Sequence, residues 1–411
     1  LRWFMMKTAS IITVGSEIIE GIILNTNEKY ICYKLTEAGL KVIRTISVDD
    51  DIESIKNAVN YSLNDSDVIV LSGGLGPTED DKTREAIAES LKLKIALNEE
   101  LKKAIEKRIS KYHRYVPSNI AKQAMVIENA KILENHVGSA PGQLVFHKGK
   151  ILVLLPGPPQ ELEPMLNNAL NEIKPQPDLS TLSMLFFSIP EAELDEIITS
   201  IVHDTSVKIA TQASYFDGVR VRLSAPKAKA EELTKLSKKI IELTGEKFIG
   251  YGNITLEEAV IKLLKKKHQT LSIAESCTGG MISSRLVNIP GASEVFLGAI
   301  VAYNNSVKRN ILNVSNKILE KYGAVSQQCV AEMAEGVRKI MKSDLALAVS
   351  GIAGPTGGSE KKPVGTVYFC IAGESIKDIQ RLFYPQQRNV FRSRVSAYGL
   401  YLILKCLSNM L

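Results

Sequence analysis

Val68-Ile69-Val70-Leu71-Ser72-Gly73-Gly74-Leu75-Gly76-Pro77-Thr78-Glu79-Asp80-Asp81 decides the reading of the first part of the chain. Four apolar residues without a polar interruption read as a short strand buried on both faces, as in a parallel sheet covered by helices. The glycine-rich run that follows then lies at the carboxyl end of the strand, where open sheets of this class collect their ligands. Working outward, Thr8–Val14 and Lys41–Val48 read as strands, and Glu28–Ala38 and Ile52–Leu63 as helices. Ile151–Leu155 is another buried strand, ending in Pro156-Gly157-Pro158-Pro159. Alternating strands and helices of this kind predict an α/β domain with a mainly parallel sheet.

The whole chain has 411 residues, 45% of them hydrophobic and 23% charged, which suits two or three globular domains and excludes a fibre or a disordered chain. No apolar run approaches the ~20 residues that cross a bilayer, and Glu17 interrupts the start too early for a signal peptide. A soluble cytoplasmic protein with no membrane partner is expected. The sequence opens on Leu1, so Met5 or Met6 is expected to lie closer to the true start, and residues 1–5 are given no functional weight. Cys32, Cys277, Cys329, Cys370 and Cys406 are scattered without CxxC spacing, against both a disulfide framework and a thiolate zinc site. The net charge of +6 is spread among acidic residues, and Lys265-Lys266-Lys267 reads as a solvated helix end, so no nucleic-acid partner is expected.

Three segments follow from this pattern: 6–175, 176–250 and 251–411. Pro175-Gln176-Pro177 marks a linker into a small α+β module with strands Leu182–Ser188 and Val219–Ser224 and helices Glu191–Val202 and Ala228–Thr244. From Thr255 a second α/β unit begins, with strands at Leu271–Ala274, Leu345–Val349 and Thr366–Ala372, an apolar run Val295–Ala302, and helices near Gln327–Met341 and Val390–Leu407. The expected fold class is therefore α/β: two α/β domains with mainly parallel sheets, joined by the small α+β module.

In the first glycine run, glycines let the backbone approach a phosphate and expose amides, and Asp80 and Asp81 are placed to hold a hard divalent cation there. The bland alternative is that Thr78 or Asp80 caps a helix beginning near Lys82. Ser16-Glu17 and Gly157–Glu161, after two other strands, favour a functional rim. In order, VGSEIIEG…NTN, SGGLGPTEDDKT, SAPG and LPGPPQEL resemble the molybdopterin-binding-like domain at the front of the CinA (competence/damage-inducible) family. The resemblance implies a metal-supported ADP-ribose pyrophosphatase using magnesium, manganese or cobalt. It puts Gly74, Gly76, Thr78 and Glu161 on the substrate and Asp80 and Asp81 on the metal. The middle segment resembles the family's KH-like module through VRVRLSA, but SIPEAELDE stands where a glycine and Glu-Ser are expected.

Ala274-Glu275-Ser276-Cys277-Thr278-Gly279-Gly280 follows a short buried strand and opens a helix at Met281. A serine at such a turn sits over helix amides that would stabilise an oxyanion, which suggests an acyl-transfer nucleophile. The segment's only histidine, His268, lies before the strand, so a Ser-His-Asp triad does not fit. Lys308 is the candidate base and Tyr303 a candidate proton relay. Cys277 is the rival nucleophile, and helix capping by Ser276, Thr278 and Glu275 is the structural alternative. Ser350–Gly358 is a second glycine loop able to hold phosphate through its amides.

AESCTGG, the G-A-S…Y-N-N-S-V-K segment, SGIAGPTGG and KPVGTVYF resemble the C-terminal domain of the CinA family, whose stand-alone members are nicotinamide mononucleotide (NMN) deamidases. The resemblance implies hydrolysis of NMN to nicotinate mononucleotide and ammonia without a cofactor. It makes Ser276 the nucleophile, has Lys308 and Tyr303 manage protons, and shapes an oxyanion pocket from Thr278, Gly279 and Gly280. It puts the nucleotide on Gly351, Gly354, Thr356 and Gly357, with Arg388 and Arg392 toward phosphate, and favours a homodimer. Two other readings stand beside it: a non-catalytic protein of DNA uptake or repair, and a molybdopterin-handling protein.

Overall fold

The computed structural model describes residues 7–111, 115, 117–173, 179–203, 206–214 and 216–409. Met5, Met6 and the Pro175–Pro177 linker lie outside the described residues. The chain forms two compact units, Leu1–Leu179 and Ser180–Leu411.

The first unit is built on a six-stranded sheet in the order Lys41–Val48, Thr8–Val14, Val68–Ser72, Lys150–Leu155, Gly142–His147, Lys131–Leu133. The first four strands run parallel and the last two antiparallel. Burial on both faces explains the uninterrupted apolar runs. Val68 and Val70 face a cluster with the helices Thr26–Glu37 and Pro159–Ile173, while Ile69 and Leu71 face one with the helices Ile52–Leu63 and Thr83–Leu91. Each fully buried side chain of this kind contributes roughly 1.5–3 kcal/mol. Helix starts are specified locally: Asn25 accepts from the Glu28 amide, and Asp51 from those of Glu53 and Ser54.

The second unit holds two sheets. Its first part has four strands in the order Lys208–Ser214, Gly218–Pro226, Leu179–Phe186, Phe248–Tyr251, packed on helices Glu191–Ile201 and Ala230–Thr244. Its second part has five, in the order Phe296–Val301, Leu271–Glu275, Leu345–Gly351, Thr366–Ala372, Lys377–Phe383. The first three are parallel and the last two antiparallel. Both units are thus mixed α/β with mainly parallel sheets at the centre of each α/β part.

The two parts of this unit share a core. Phe187 is fully buried in the larger cluster, 5.3 Å from the Tyr401 ring and under the Arg394 guanidinium at 5.0 Å. Arg285 pairs with Glu257 and, at 3.3 Å, with Asp217, and Lys405 meets Glu246 at 2.8 Å.

The departure at SIPEAELDE falls on a backbone position that favours glycine. Ser188 sits at φ +61°, the left-handed region that favours glycine, between buried Phe187 and the helix starting at Glu191. Ser188→Gly is therefore expected to stabilise the protein by about 0.5–1 kcal/mol, read as a higher denaturant midpoint at constant slope. A lower midpoint would mean that the serine side chain contributes more than its backbone costs.

Candidate active sites

In the first unit, the carboxyl ends of three parallel strands open on a cavity of about 530 Å³, within the range of small-ligand sites. Its wall includes Gly15, Glu17, Asn27, Asp50, the run Ser72–Gly76, Asp80, Asp81, Gln123, Gly157 and Glu161. The strand ends are too close for side chains: a methyl group on Gly73 would fall on the Val14 carbonyl oxygen, and Gly73 lies at φ +105°. Asn27 ties the rim together, donating to Ser72 Oγ at 2.9 Å and to the Gly157 carbonyl at 2.6 Å. Asp50 accepts from the Ser16 amide and hydroxyl at 2.9 and 2.8 Å. Glu161 accepts from Asn135, which also donates to the Ala140 carbonyl at 2.8 Å, so it braces the segment carrying SAPG.

The helix Thr83–Leu91 has Lys82 at its N-cap without any side-chain cap, so neither Thr78 nor Asp80 caps it. Instead Asp81 closes the turn, taking the Thr78 amide at 2.9 Å and the Thr78 hydroxyl. Asp80 is exposed at the rim. No group of three or more His, Cys, Asp or Glu converges on one point among the described residues. The lining still offers hard oxygens beside a glycine loop. That donor set suits an ion held by one or two carboxylates plus waters and substrate phosphate rather than by an all-protein cage.

In the second unit, Lys308 Nζ lies 3.1 Å from Ser276 Oγ, 2.6 Å from the Ala302 carbonyl and 3.2 Å from the Tyr303 carbonyl. Lys308 is 1% exposed and Ser276 7%. Burial lowers the Lys308 amine below its ordinary value. The strand Leu271–Glu275 delivers Ser276, and the helix Asn305–Asn310 delivers Lys308, its start fixed by Asn304 accepting from the Ser306 amide at 2.8 Å.

Capping by Ser276 or Thr278 is overturned. The fully buried Glu275 carboxylate takes the amides of Gly280, Ile282 and Ser283 at 3.0, 3.2 and 2.9 Å, together with the Ser283 hydroxyl. The same observation corrects the expected oxyanion pocket. An anion already sits on the helix amides, and the Gly279 amide donates to the Ser276 carbonyl at 3.2 Å. Gly279 and Gly280 serve the turn through their positive φ of 60° and 90°. Thr278 Oγ1 is buried without a hydrogen-bond partner.

Tyr303 does not reach the lysine through its phenol. The ring is exposed, its hydroxyl accepts from Arg388 at 3.0 Å, and only its main-chain carbonyl meets Lys308. Arg388 also donates to the Gly354 carbonyl at 2.9 Å, joining Tyr303 to the second glycine loop. Arg392 donates to the Cys277 and Thr278 carbonyls at 3.2 and 2.8 Å. Gly351 is packed against Val367, and Gly354 and Gly357 lie at φ +74° and +90°. Thr356 is exposed on the loop. Cys277 is 5% exposed, and burial pushes its thiol up to about 12.

Sequence reading missed Asp50, Gln123 and Asn135 in the first site. Each acts across 5 to 34 residues or from a short 3-10 turn, with no motif spacing to betray it.

Residues 253–407 match the family described as CinA C-terminal domain, and residues 10–176 that described as probable molybdopterin binding domain. A CinA-like protein of Thermotoga maritima is 46% identical over 396 residues, covering 96% of this chain and 97% of the relative. A putative competence-damage inducible protein of Bacillus subtilis is 38% identical, covering 98% of each. Among solved structures, the CinA protein of unknown function from Thermoplasma acidophilum is 37% identical, with a TM-score of 0.39, over 41% of this chain and 98% of that one. With identity of this extent along almost the whole length, the chain belongs to the CinA family.

Proposed function

We propose that the second unit is an amide hydrolase converting NMN to nicotinate mononucleotide and ammonia, with Ser276 as nucleophile and Lys308 as its base. The observation that carries this reading is the 3.1 Å contact between a buried amine and a buried hydroxyl. A neutral amine has two N–H groups and one lone pair. The carbonyls of Ala302 and Tyr303 occupy the two donors, which leaves the lone pair for the Ser276 proton. Desolvation favours this neutral form.

Ser276 Oγ then bonds to the carboxamide carbon as its proton passes to Lys308. The carbonyl π pair moves onto oxygen. The C–N bond breaks as Lys308 returns that proton to the departing nitrogen, giving ammonia and an ester on Ser276. Water, deprotonated by Lys308, cleaves the ester and restores the serine. Thr278 Oγ1, two residues beyond Ser276 in the chain and buried without a partner, is the hydroxyl we assign to the oxyanion. Arg388 and the 351–358 loop take the phosphate end.

For the first unit we propose metal-dependent hydrolysis of ADP-ribose to AMP and ribose 5-phosphate. Water bonds to one phosphorus and the P–O bond to the bridging oxygen breaks. Asp80 and Asp81 would hold the divalent ion, which supplies charge neutralisation of the diphosphate. Ile18, Ile23 and Leu24 offer the nucleoside an apolar wall.

Ammonia release from NMN is expected to fall by ~10³ or more in Ser276→Ala and by at least ~10² in Lys308→Met. Undiminished release from Ser276→Ala removes the serine from its role. Because the base form of Lys308 is the active one, kcat/KM rises with pH through the lowered amine pKa and levels off above it. A rate that falls with pH across that range contradicts the assignment.

The Cys277 thiol is expected to resist iodoacetamide at pH 8 in the folded protein, read by mass spectrometry, because almost none is thiolate. Rapid labelling would reopen it as nucleophile. Asp80→Asn is expected to abolish AMP formation from ADP-ribose with magnesium, manganese or cobalt. A wild-type protein that forms no AMP with any of them excludes this activity.

A further inference from the structure

The first-unit glycine loop is held entirely from behind. Thr83 Oγ1 donates to the Gly73 carbonyl at 2.8 Å and the Thr83 amide to the Gly74 carbonyl at 3.2 Å. Arg84 Nη1 donates to the Leu75 carbonyl at 3.0 Å and Nη2 to the Gly76 carbonyl at 3.1 Å. All four carbonyls of the run therefore point toward the start of one helix. The amides of Gly74, Leu75 and Gly76 have no partner among the described residues, although this run lines the cavity. Successive main-chain N–H groups left unpaired at a cavity form a concavity suited to an anion.

Arg84 is the unusual member. It is fully buried and makes no ion pair among the described residues, its two hydrogen bonds going to neutral carbonyls. Its Nε is buried without a partner. The nearest opposing charges, on Glu85 and Asp81, act at longer range, and burial disfavours the charged form. Guanidinium stays protonated even so. A full positive charge is thus held against the carbonyls of a loop that lines a cavity. Glu85 and Asp81 oppose this charge without pairing with it, and an anion on the loop would compensate it further.

We infer that Arg84 is a positioning residue of a diphosphate receptor, clamping the Leu75 and Gly76 carbonyls so that the amides of Gly74, Leu75 and Gly76 meet the anion over its buried charge. This deepens the ADP-ribose reading by naming what grips the diphosphate, but the receptor itself requires only the anion. Arg84 touches no substrate and acts through the loop.

The test uses the full chain and inorganic pyrophosphate, followed by hydrogen exchange of the peptide containing Gly74–Gly76. In the wild type, pyrophosphate should slow exchange there. Arg84→Met should raise the pyrophosphate concentration for half-protection about 10-fold or more, and Arg84→Lys, which keeps the charge but not the two-pronged clamp, at least about 3-fold. Arg84→Lys carries the comparison if Arg84→Met does not fold. An arginine that only supports folding would lower the thermal midpoint and leave half-protection of the folded protein unchanged. That result, or no protection in the wild type, overturns the inference. ADP-ribose hydrolysis is assayed separately. Protection that weakens in the Arg84 variants, without hydrolysis, defeats the proposed reaction and upholds Arg84, whereas hydrolysis with protection indifferent to Arg84 does the reverse.

Discussion

Parallel strands packed side by side and covered on both faces bring their carboxyl ends close together, and what leaves those ends must have almost no side chain. Gly73 meets this constraint against Val14 in the first unit, while in the second Gly351 is crowded by Thr366 and Val367 of the antiparallel neighbour. Both glycine loops follow from the packing of the central strands before any ligand is considered. The polar groups around them, Asn27 joining Ser72 to Gly157 and Arg388 joining Tyr303 to Gly354, then turn a steric necessity into a rim of fixed shape. Folding and ligand capture draw on the same geometry.

The two units handle buried charge in opposite ways. In the second, Glu275 is buried but saturated by three amides and a hydroxyl, so the start of the helix is already neutralised. Lys308, with two carbonyl acceptors and no carboxylate hydrogen-bonded to it, is pushed toward its neutral form and toward proton transfer. In the first, Arg84 cannot shed its proton and holds carbonyls instead. Replacing one kind of cation by the other would change the chemistry, not only the strength, of each site.

Much of the fold was legible because burial leaves a periodic trace. Thr8–Val14, Lys41–Val48, Ile52–Leu63, Gln327–Met341 and Thr366–Ala372 have in the structure the ends that their apolar patterns predict. The strand Lys377–Phe383 was not legible, because at a sheet edge none of its residues is fully buried and its charged and apolar residues follow no period of two. Lys131–Leu133, at the edge of the other sheet, is only three residues long, and Gly142–His147 beside it pairs antiparallel with both neighbours. At the sites, Ser276 and Lys308 could be named because each sits in a conspicuous local run, and the fold brings them together across 32 residues. Asn27 to Gly157 spans 130 residues, and nothing local in either tripeptide announces the contact. The role of Glu275 was half visible: its place before the helix could be read, but not that it would occupy the very amides an oxyanion needs.

Phe187 lies outside the five-stranded part of the second unit in sequence, yet its ring is part of that core. A polypeptide starting near residue 251 would keep Ser276 and Lys308 and lose this plug, leaving an empty socket between Tyr398, Tyr401 and the aliphatic stem of Arg394. Voids of phenyl size cost several kcal/mol. Free-standing versions of such a domain must therefore fill that socket with a bulkier neighbour or shut it by other means, which makes the aromatic face of the final helix a place where independent domains and fused ones should diverge in composition.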